Sequence, residues 1–463
     1  MTNWTHESGT RIARAVRQGE VKARSVIEQH LDRIEAHNPR LKAYTDITAG
    51  RALAAAERID ARWRRGETLP PLAGMPFAVK NLFDIANLPT RAGSKINRDR
   101  PPSETDATAI TRLEAAGAIL LGGLNMGEYA YDFTGRNAHD GHSRNPHDPE
   151  RMTGGSSGGS GGCVAAGMAP VALGSDTNGS IRVPSSLCGL FGLKPTYGAL
   201  SRGGSFPFVT SLDHVGPLAR SVEDLAHVHD AMRGPDPRDP ACWGGSSAPL
   251  SPEIETGIAG LRIARAGGYF GRMASPEALE AVETVAGALG ATRMVEIPEA
   301  QRARAAAFVM TMTEGAALHQ ERLRKRVGDF DPEVRDRLLA GAMLPGAWYH
   351  RAQVFRAWYK EAVAELFRQV DILIAPATPV SAPLVDQQVF TVDGQDLPVR
   401  ANLGIFTQPI SFIGLPVAAV PVWPDRGMPI GVQVIAAAGR DDLVLRVARH
   451  LEREGICEAR IAP

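Results

Sequence analysis

The chain has 463 residues, of which 44% are hydrophobic and 22% are charged, so it is long enough to bury a large core. It carries 51 Lys and Arg residues against 51 Asp and Glu residues, a formal net charge of zero. This balance excludes a broad nucleic-acid-binding surface, which needs a basic excess. Glycine is abundant, at 48 residues, and part of it is concentrated in one segment.

Cysteine usage and hydropathy both indicate a cytoplasmic protein. The cysteines form no C-x-x-C pair and have no histidine at ligand spacing, so we expect neither a disulfide framework nor a metal site; they are Cys163, Cys188, Cys242 and Cys457. The N-terminus lacks an apolar segment of signal-peptide length. The longest apolar stretches, 163–173 and 412–423, are interrupted by Pro or Gly and are too short to span a bilayer. No membrane partner is therefore expected.

Hydrophobic periodicity predicts helices at the start of the chain. Apolar residues recur at helical spacing within 9–66, with charged residues between them. A second helix is predicted there from about Thr48 to Arg65, ending at Gly66. We expect these helices to cover a sheet.

The segment that follows predicts a β-α-β unit. Phe77–Lys80 is a short apolar strand candidate, and 118–121 is typical of a buried strand. Between them, Asp106 is the predicted N-cap of a helix that runs through Ala115. Because the joins are short, we expect a largely parallel sheet here.

A loop at 234–252, rich in Pro, Gly and Ser, precedes the second half of the chain. Beyond it we predict a strand at 260–264, helices from Pro276 and a mostly helical stretch at 299–370. Most of the dense charges of that stretch are assigned to solvated helix faces; the charged residues include Arg322, Arg324, Lys325, Arg326, Arg335 and Arg337. The remaining predicted elements are buried strands at 371–375 and 417–422 and a last helix at 441–454.

Residues 154–162 read GGSSGGSGG and contain G-x-S-x-G three times, centred on Ser156, Ser157 and Ser160. A nucleophile elbow needs a hydrophobic strand just before its serine, whereas 145–153 is polar and contains two prolines. There is no phosphate-binding G-x-x-x-x-G-K-[ST], and Val164 stands where a dinucleotide fingerprint needs its third glycine. A flexible linker is also unexpected, because an apolar run follows directly.

A second block of small residues, SDTNGSIRVPS at 175–185, follows this segment. With the upstream lysine in PFAVKN, the two blocks resemble the amidase signature family. The resemblance extends over nearly the whole chain, through LAGMPFAVK at 72–80, NMGEY at 125–129, GLPVAAVPV at 414–422 and GMPIGVQVIA at 427–436. It implies the α/β amidase-signature fold, in which helices cover both faces of a central mixed β-sheet.

The resemblance also implies one amidase domain over residues 1–463. Its expected parts are N-terminal helices that pack on the sheet, a signature core with the catalytic residues, an internal loop, and the remaining strands and helices; these are 1–66, 67–233, 234–252 and 253–463.

For the site, the resemblance implies a Ser–cis-Ser–Lys triad, with Ser180 as nucleophile, Ser156 as bridging serine and Lys80 as base. A serine hydroxyl is a poor nucleophile unless a base takes its proton. A lysine can take it only when neutral, which requires a pKa lowered by burial. Because Lys80 follows the apolar residues 76–79, burial is expected.

Backbone amides near the nucleophile form the expected oxyanion hole; they belong to Thr177, Asn178, Gly179 and Ser180. Glycine lets N–H groups turn inward without a side-chain clash. Many family members have a second glycine where this chain has Asn178; asparagine tolerates left-handed backbone, and its side chain is a candidate to line the pocket. By resemblance, Asp176 and Arg182 form a structural ion pair.

Within the family, the resemblance favours a small carboxylated urea- or biuret-type substrate, 1-carboxybiuret of bacterial cyanuric acid and s-triazine degradation. Hydrolysis through an acyl-enzyme would give urea-1,3-dicarboxylate and ammonia, without metal or cofactor. The segments on which this choice of substrate rests are 177–198, 205–221 and 406–417.

A carboxylated substrate needs a cation, and arginine suits a carboxylate. Arg356 is the candidate, because its segment resembles the part of the glutamine amidotransferases where an arginine holds the glutamine carboxylate. A helix-surface role is its alternative. Tyr131 and Tyr349 are further candidates for the pocket, with core positions as the alternative.

Other interpretations remain open. The chain could be the amidase subunit of a glutamine-dependent tRNA amidotransferase, or an amidase for another small primary amide. In such an amidotransferase, an aspartate before an I-x-T-x-P stretch holds the glutamine amino group, whereas this chain has Gly404 there. An inactive scaffold is disfavoured by the intact Lys80, Ser156 and Ser180. The resemblance further implies a partner, which would be a small helical accessory subunit.

Overall fold

A computed structural model describes residues 2–245 and 248–462 of the chain. Its strands, in chain order, are β1 (Tyr44–Ile47), β2 (Pro76–Lys80), β3 (Ile119–Leu124), β4 (Arg144–Asn145), β5 (Asp148–Met152), β6 (Val171–Asp176), β7 (Phe191–Lys194), β8 (His214–Ala219), β9 (Ile263–Ala266), β10 (Arg293–Val295), β11 (Ile372–Pro376), β12 (Val389–Val392), β13 (Gln395–Pro398), β14 (Val417–Val422) and β15 (Ile430–Ala436).

The α-helices of the described residues are α1 (Gly9–Gln18), α2 (Ala23–Leu41), α3 (Ala49–Arg64), α4 (Thr108–Ala115), α5 (Gly158–Ala165), α6 (Arg182–Cys188), α7 (Val222–Met232), α8 (Pro276–Ala288), α9 (Ala300–Arg326), α10 (Pro332–Ala342), α11 (Gly346–Leu366), α12 (Val399–Asn402), α13 (Gln408–Ser411) and α14 (Asp441–Arg453). None of them combines the length and the apolar composition that crossing a bilayer requires.

Eleven of the described strands form one sheet, in the order β1-β3-β2-β6-β8-β7-β14-β15-β11-β9-β10. The strand β2 pairs in parallel with both β3 and β6, and β9 pairs in parallel with β10 and β11. The pairs β6–β8, β7–β14 and β14–β15 are antiparallel. The sheet is therefore mixed, as expected, and β2, α4 and β3 form the predicted β-α-β unit.

Helices cover both faces of this sheet. In β2, Phe77 and Val79 belong to a core cluster that includes Leu113 of α4. Ala78 belongs to a second cluster, with Ile27 of α2. Because successive strand residues point to opposite faces, both sides of β2 are buried, which explains its uninterrupted apolar sequence. The expected fold class, an α/β fold with helices on both faces of a mixed sheet, is confirmed.

The last helix shows how local sequence sets an element. α14 begins with the acidic residues Asp441 and Asp442 in its first turn, where the helix dipole favours negative charge. It buries Leu443, Val447 and Leu451 on one side, at the spacing of an amphipathic helix. The helix predicted at 441–454 is thus confirmed to within one residue.

Three predicted elements need correction. Residues 9–66 contain a strand as well as helices, because β1 pairs with the edge of the sheet at β3. The strand predicted at 260–264 begins at Ile263. Asp106 is not the N-cap of α4; Ala107 holds that position without a side-chain cap, while the Asp106 carboxylate receives two hydrogen bonds from Arg51, at 2.9 and 2.7 Å.

In the predicted loop, residues 234–245 and 248–252 contain neither helix nor strand, and 246 and 247 lie outside the described residues. Side chains fasten the loop to the body of the fold. The Asp236 carboxylate accepts a hydrogen bond from Thr108 Oγ1 at 2.6 Å, and Asp239 forms an ion pair with Arg202 at 2.7 Å. The described part of this segment is therefore held by specific contacts.

Candidate active site

Lys80 is the last residue of β2, at the carboxyl end of a strand flanked in parallel by β3 and β6. Its side chain is fully buried, and Nζ donates hydrogen bonds to Ser156 Oγ at 2.7 Å and Ser175 Oγ at 2.9 Å. Burial lowers the pKa of Lys80 to about 7, against the opposing effect of three nearby aspartates. A large fraction of this amine is therefore neutral near pH 7 and able to accept a proton.

Ser156 lies in the glycine-rich segment that leads into α5, and the peptide bond between Gly155 and Ser156 is cis. Backbone hydrogen bonds fasten the turn to the chain at 127–133: Gly155 N–H donates to Phe133 O at 2.8 Å, and Gly127 N–H donates to Ser156 O at 3.1 Å. The hydroxyl that contacts Lys80 is thus carried on a backbone with fixed neighbours.

The rest of the glycine-rich segment is packed structure. Residues 154–165 are all buried, and Gly158–Ala165 is the helix α5. A Cβ at Gly159 would lie 2.5 Å from the carbonyl oxygens of both Ala43 and Asn125. Glycine therefore allows the helix to approach neighbouring backbone closely, which outweighs its low intrinsic helix propensity.

Ser180 lies in the loop between β6 and α6, beside a strained glycine. Gly179 has φ of +142°, and a Cβ there would lie 2.1 Å from Thr407 Oγ1. That hydroxyl donates to the carbonyl oxygen of Asn178 at 2.6 Å. Because the C=O and N–H of a trans peptide point in opposite directions, the Gly179 N–H is directed away from Thr407.

The backbone amides of this loop are free to bind a ligand. Within residues 2–245 and 248–462, no protein group accepts a hydrogen bond from the N–H groups of residues 177–180. Unpaired backbone donors are rare in protein interiors. Four consecutive ones around a serine are typical of a site that stabilises developing negative charge on oxygen.

A buried ion pair brackets the same loop. Asp176 ends β6 and Arg182 begins α6; the guanidinium contacts both carboxylate oxygens at 3.0 Å, and both side chains are fully buried. Burial alone would raise the pKa of Asp176, but Arg182 holds it well below its ordinary range. Arg182 also donates to Gln433 Oε1 of β15 at 2.7 Å and to Thr407 O at 3.1 Å. The pair therefore fixes both ends of the loop to the sheet.

Ser180 lines a small cavity above these strands. Its walls come from the segment 130–133, the loop after β6, the segment before β8 and helices of the second half of the chain; they are Ala130, Tyr131, Asp132, Phe133, Thr177, Asn178, Ser180, Phe208, Phe308, Thr311, Arg337 and Gln408. Lys80 and Ser156 are not on the walls, so Ser180 is the one of the three expected catalytic residues that lines the cavity.

Arg337 of α10 is the cation on the cavity wall. Its guanidinium lies 3.9 Å from the centroid of the Tyr131 ring, and Nη1 donates to Tyr131 O at 3.0 Å. No carboxylate of the described residues lies within ion-pair distance of it. The structure therefore places an arginine without an anionic partner at the cavity, stacked on a residue that the sequence also indicated.

The other two expected substrate-binding residues do not line this cavity. Arg356 of α11 donates to the backbone carbonyls of Phe412 at 2.6 Å and Ser211 at 2.8 Å. The Tyr349 hydroxyl donates to Glu314 Oε1 at 3.1 Å. Both side chains are half-buried and join α11 to neighbouring elements, so Arg356 is not a free helix-surface arginine and Tyr349 is not a fully buried core residue.

Sequence reasoning misses three residues of the site. Ser175 stands inside the SDTNGS block, but only the pairing of β6 beside β2 shows that its hydroxyl reaches Lys80. Thr311 and Arg337 lie on α9 and α10, where nothing in the local pattern distinguishes them from neighbouring helix residues. The charge pattern assigns Arg337 to a solvated helix face, and the structure corrects this by placing it on the cavity wall.

The comparison with protein families agrees with this geometry. The Amidase family pattern matches residues 25–445, most of the chain. The chain belongs to the amidase signature family, as its motifs indicated, and it is an amide hydrolase that acts on C–N bonds.

Two curated relatives cover nearly the whole chain. It is 54% identical over 447 residues to AtzE, a component of the 1-carboxybiuret hydrolase of Pseudomonas sp. (strain ADP). The aligned region covers 96% of this chain and 98% of that protein. It is 37% identical over 487 aligned positions to a glutamyl-tRNA(Gln) amidotransferase subunit of Chloroflexus aurantiacus. This alignment covers 98% of this chain and 97% of that protein.

Solved structures give the same result. One described as "An unexpected vestigial protein complex reveals the evolutionary origins of an s-triazine catabolic enzyme" matches with a TM-score of 0.97 and 53% identity, over 98% of this chain and 100% of that one. The 6-aminohexanoate cyclic dimer hydrolase matches with a TM-score of 0.87 and 28% identity, over 100% of this chain and 99% of that one.

Proposed function

We propose that the protein hydrolyses the terminal amide of 1-carboxybiuret, giving urea-1,3-dicarboxylate and ammonia. The observation that carries the proposal is the presence of Ser180 and the unpaired Arg337 on one small cavity, where a nucleophile and a carboxylate anchor are both within the reach of a short anionic amide. The 54% identity to a component of a 1-carboxybiuret hydrolase supports this choice of substrate.

In the proposed reaction, Ser180 Oγ attacks the carbonyl carbon of the terminal amide. Its proton passes to Ser156 Oγ, which gives its own proton to the neutral amine of Lys80. The tetrahedral intermediate collapses when a proton returns by the same route to the leaving nitrogen, which departs as ammonia. Water then attacks the acyl-enzyme and releases urea-1,3-dicarboxylate and the free serine.

Negative charge develops on the substrate oxygen during both attacks. The unpaired N–H groups of Thr177, Asn178, Gly179 and Ser180 are the proposed donors to that oxygen. They are held in place before the substrate arrives by the Thr407 hydroxyl and by the ion pair between Asp176 and Arg182, so little reorganisation is needed in the transition state.

The carboxylate of the substrate is assigned to Arg337 rather than to Arg356. The Arg337 guanidinium faces the cavity without a carboxylate partner, whereas Arg356 is occupied by two backbone carbonyls and does not reach it. Tyr131 supports Arg337 through the face of its ring. Tyr131 therefore keeps a place in the proposed binding site, and Tyr349 does not.

A glutamine-dependent amidotransferase is the alternative function. At Gly404, where that enzyme has an aspartate for the amino group, a Cβ would lie 2.4 Å from the ring of Phe133, which lines the cavity. The site therefore has no room for this carboxylate and disfavours an amino-acid substrate.

Ammonia release separates the candidates. We would assay the enzyme with 1-carboxybiuret, biuret and glutamine, each without tRNA. The proposal predicts the highest kcat/KM for 1-carboxybiuret. Release from glutamine alone would establish the amidotransferase interpretation, and no release from any of the three would favour the inactive scaffold.

We also propose that a small helical accessory subunit binds this chain, which is consistent with the description of its structural relative as part of a protein complex. Purification of the chain from its native operon tests this directly. A stoichiometric small polypeptide that stays with the chain through size-exclusion chromatography is expected, and a chain that elutes alone with full activity would contradict it.

A further inference from the structure

Asn178 brings a buried amide side chain to the cavity that Ser180 lines. The residue is 6% exposed, and its position in the loop is fixed by the hydrogen bond from Thr407 Oγ1 to its backbone carbonyl oxygen. The side-chain nitrogen Nδ2 donates to Thr311 Oγ1 at 2.9 Å, and Thr311 lies on the same cavity wall. One end of the amide is therefore held by the protein.

The other end of the amide has no partner. The oxygen Oδ1 of Asn178 is buried, and no group among the described residues donates a hydrogen bond to it. A buried carbonyl oxygen without a donor is costly, so such an atom in a residue that lines a cavity points to a ligand that supplies the missing N–H or O–H. Because Thr311 occupies the nitrogen, only the acceptor is left for that ligand.

We propose that Asn178 selects urea-type substrates by accepting a hydrogen bond from the N–H group next to the scissile carbonyl. Asn178 stands two residues before Ser180, so an acyl group held on that serine places its adjoining atoms beside this loop. In a urea or biuret those atoms are N–H, whereas in an ordinary carboxamide they are CH₂, which cannot donate. This inference rests on the proposed function, and it adds the feature that distinguishes ureas from other small amides.

Two small ligands isolate this interaction. N-carbamoylglycine and succinamate both carry a terminal carboxamide and a carboxylate, and they differ only in having N–H or CH₂ beside the carboxamide carbonyl. Binding would be measured calorimetrically in a Ser180→Ala background, which removes turnover. The binding result therefore does not depend on whether 1-carboxybiuret is the substrate. A failure of the Asn178 proposal can thus be distinguished from a failure of the proposed function.

We expect the Ser180→Ala protein to bind N-carbamoylglycine about 10- to 100-fold more tightly than succinamate, because the CH₂ compound leaves Oδ1 unpaired. Adding Asn178→Ala should remove most of that preference and change succinamate binding less than about threefold. Thr311→Val keeps the side-chain volume but releases Nδ2, and it should lower the preference by a smaller factor. Equal binding of the two ligands, or an equal loss of both in Asn178→Ala, would overturn the proposal.

Discussion

The floor and the wall of the cavity are built in opposite ways. By the floor we mean Lys80, Ser156 and Ser175, on the central strands and the adjoining turn; they are buried, do not line the cavity themselves, and Lys80 donates a hydrogen bond to each serine. The wall includes Thr311 and Arg337 from α9 and α10 and Asn178 from the loop after β6; it presents the unpartnered Asn178 Oδ1 and an Arg337 guanidinium without a carboxylate partner. The base and the bridging serine are thus part of the buried core, whereas the groups that would recognise a substrate come from the covering helices and from the loop that carries Ser180.

This difference indicates which substitutions should change catalytic activity and which should change substrate selectivity. A substitution in the floor disrupts the hydrogen bonds between Lys80 and the two serines. Because every substrate needs the same proton transfer, it should remove activity toward all amides. A substitution in the wall at a residue other than the nucleophile Ser180 leaves that network intact and should alter which amide is bound. Four predictions test this separation, from the largest expected effect to the smallest.

Replacement of the nucleophile gives the largest effect. Ser180→Ala should reduce kcat by about 10³- to 10⁶-fold, since removal of a covalent nucleophile leaves only binding and the oxyanion hole. Steady-state ammonia release measures it. Ser160→Ala is the matched control, because Ser160 belongs to the same glycine-serine segment but its hydroxyl donates to Leu173 O at 3.0 Å, away from the cavity. A comparable loss in the control would contradict the assignment.

Lys80→Met removes the base while retaining a long buried side chain, and it should reduce kcat by about 10²- to 10⁴-fold. The native enzyme should show kcat/KM rising with pH and reaching a plateau above about pH 7, because burial lowers the pKa of Lys80 to about 7 and only the neutral amine accepts a proton. A pH–rate profile of both proteins tests this. A native profile that is flat from pH 5 to 9 would exclude Lys80 as the base.

Arg182→Met tests whether the buried ion pair with Asp176 stabilises the fold around the site, rather than the chemistry of the reaction. Because Asp176 and Arg182 are both fully buried, removal of the guanidinium leaves an uncompensated carboxylate and should lower the free energy of unfolding by about 3–5 kcal/mol. Denaturant unfolding measures the change. The double variant Asp176→Asn with Arg182→Met should recover part of the loss; if it is no more stable than the single variant, the ion pair is not the cause.

The wall should give the smallest and most selective effect. Arg337→Ala should raise KM for a carboxylated substrate by about 10- to 100-fold, because a charge-assisted contact is lost, and should change KM for an uncharged amide little. Arg356→Ala is the control, since that guanidinium lies off the cavity. The opposite result, a selective rise in KM for Arg356→Ala alone, would show that Arg356 rather than Arg337 binds the substrate carboxylate.

The candidates Lys80, Ser156 and Ser180 came from the resemblance of their sequence blocks to the amidase signature family, whereas Ser175 of the floor was missed. Lys80 follows an uninterrupted apolar strand, so its burial could be inferred, and the serine blocks around Ser156 and Ser180 have a recognisable composition. Helix α14 was equally clear from its amphipathic spacing. In each case neighbouring residues in the chain already carry the information.

Tyr131 and Asn178 of the wall were candidates from the sequence, but its helix residues were not predictable, because long-range packing places them. Arg337 and Arg356 are similar helix arginines in the sequence, and only the placement of α10 and α11 shows which one reaches the cavity. Asp106 failed as a predicted cap for the same reason: Arg51, distant in the chain, binds its carboxylate. The strand β1 was missed because its pairing with β3 outweighs the helical pattern on either side.

The central claim is that Ser180 carries the acyl group during turnover. Rapid acid quench of the enzyme with 1-carboxybiuret, followed by peptide mapping by mass spectrometry, tests it most directly. The account predicts an acyl adduct on the peptide that contains Ser180, absent from Ser180→Ala and accumulating less in Lys80→Met. An adduct on Ser156, or full turnover by Ser180→Ala, would contradict it.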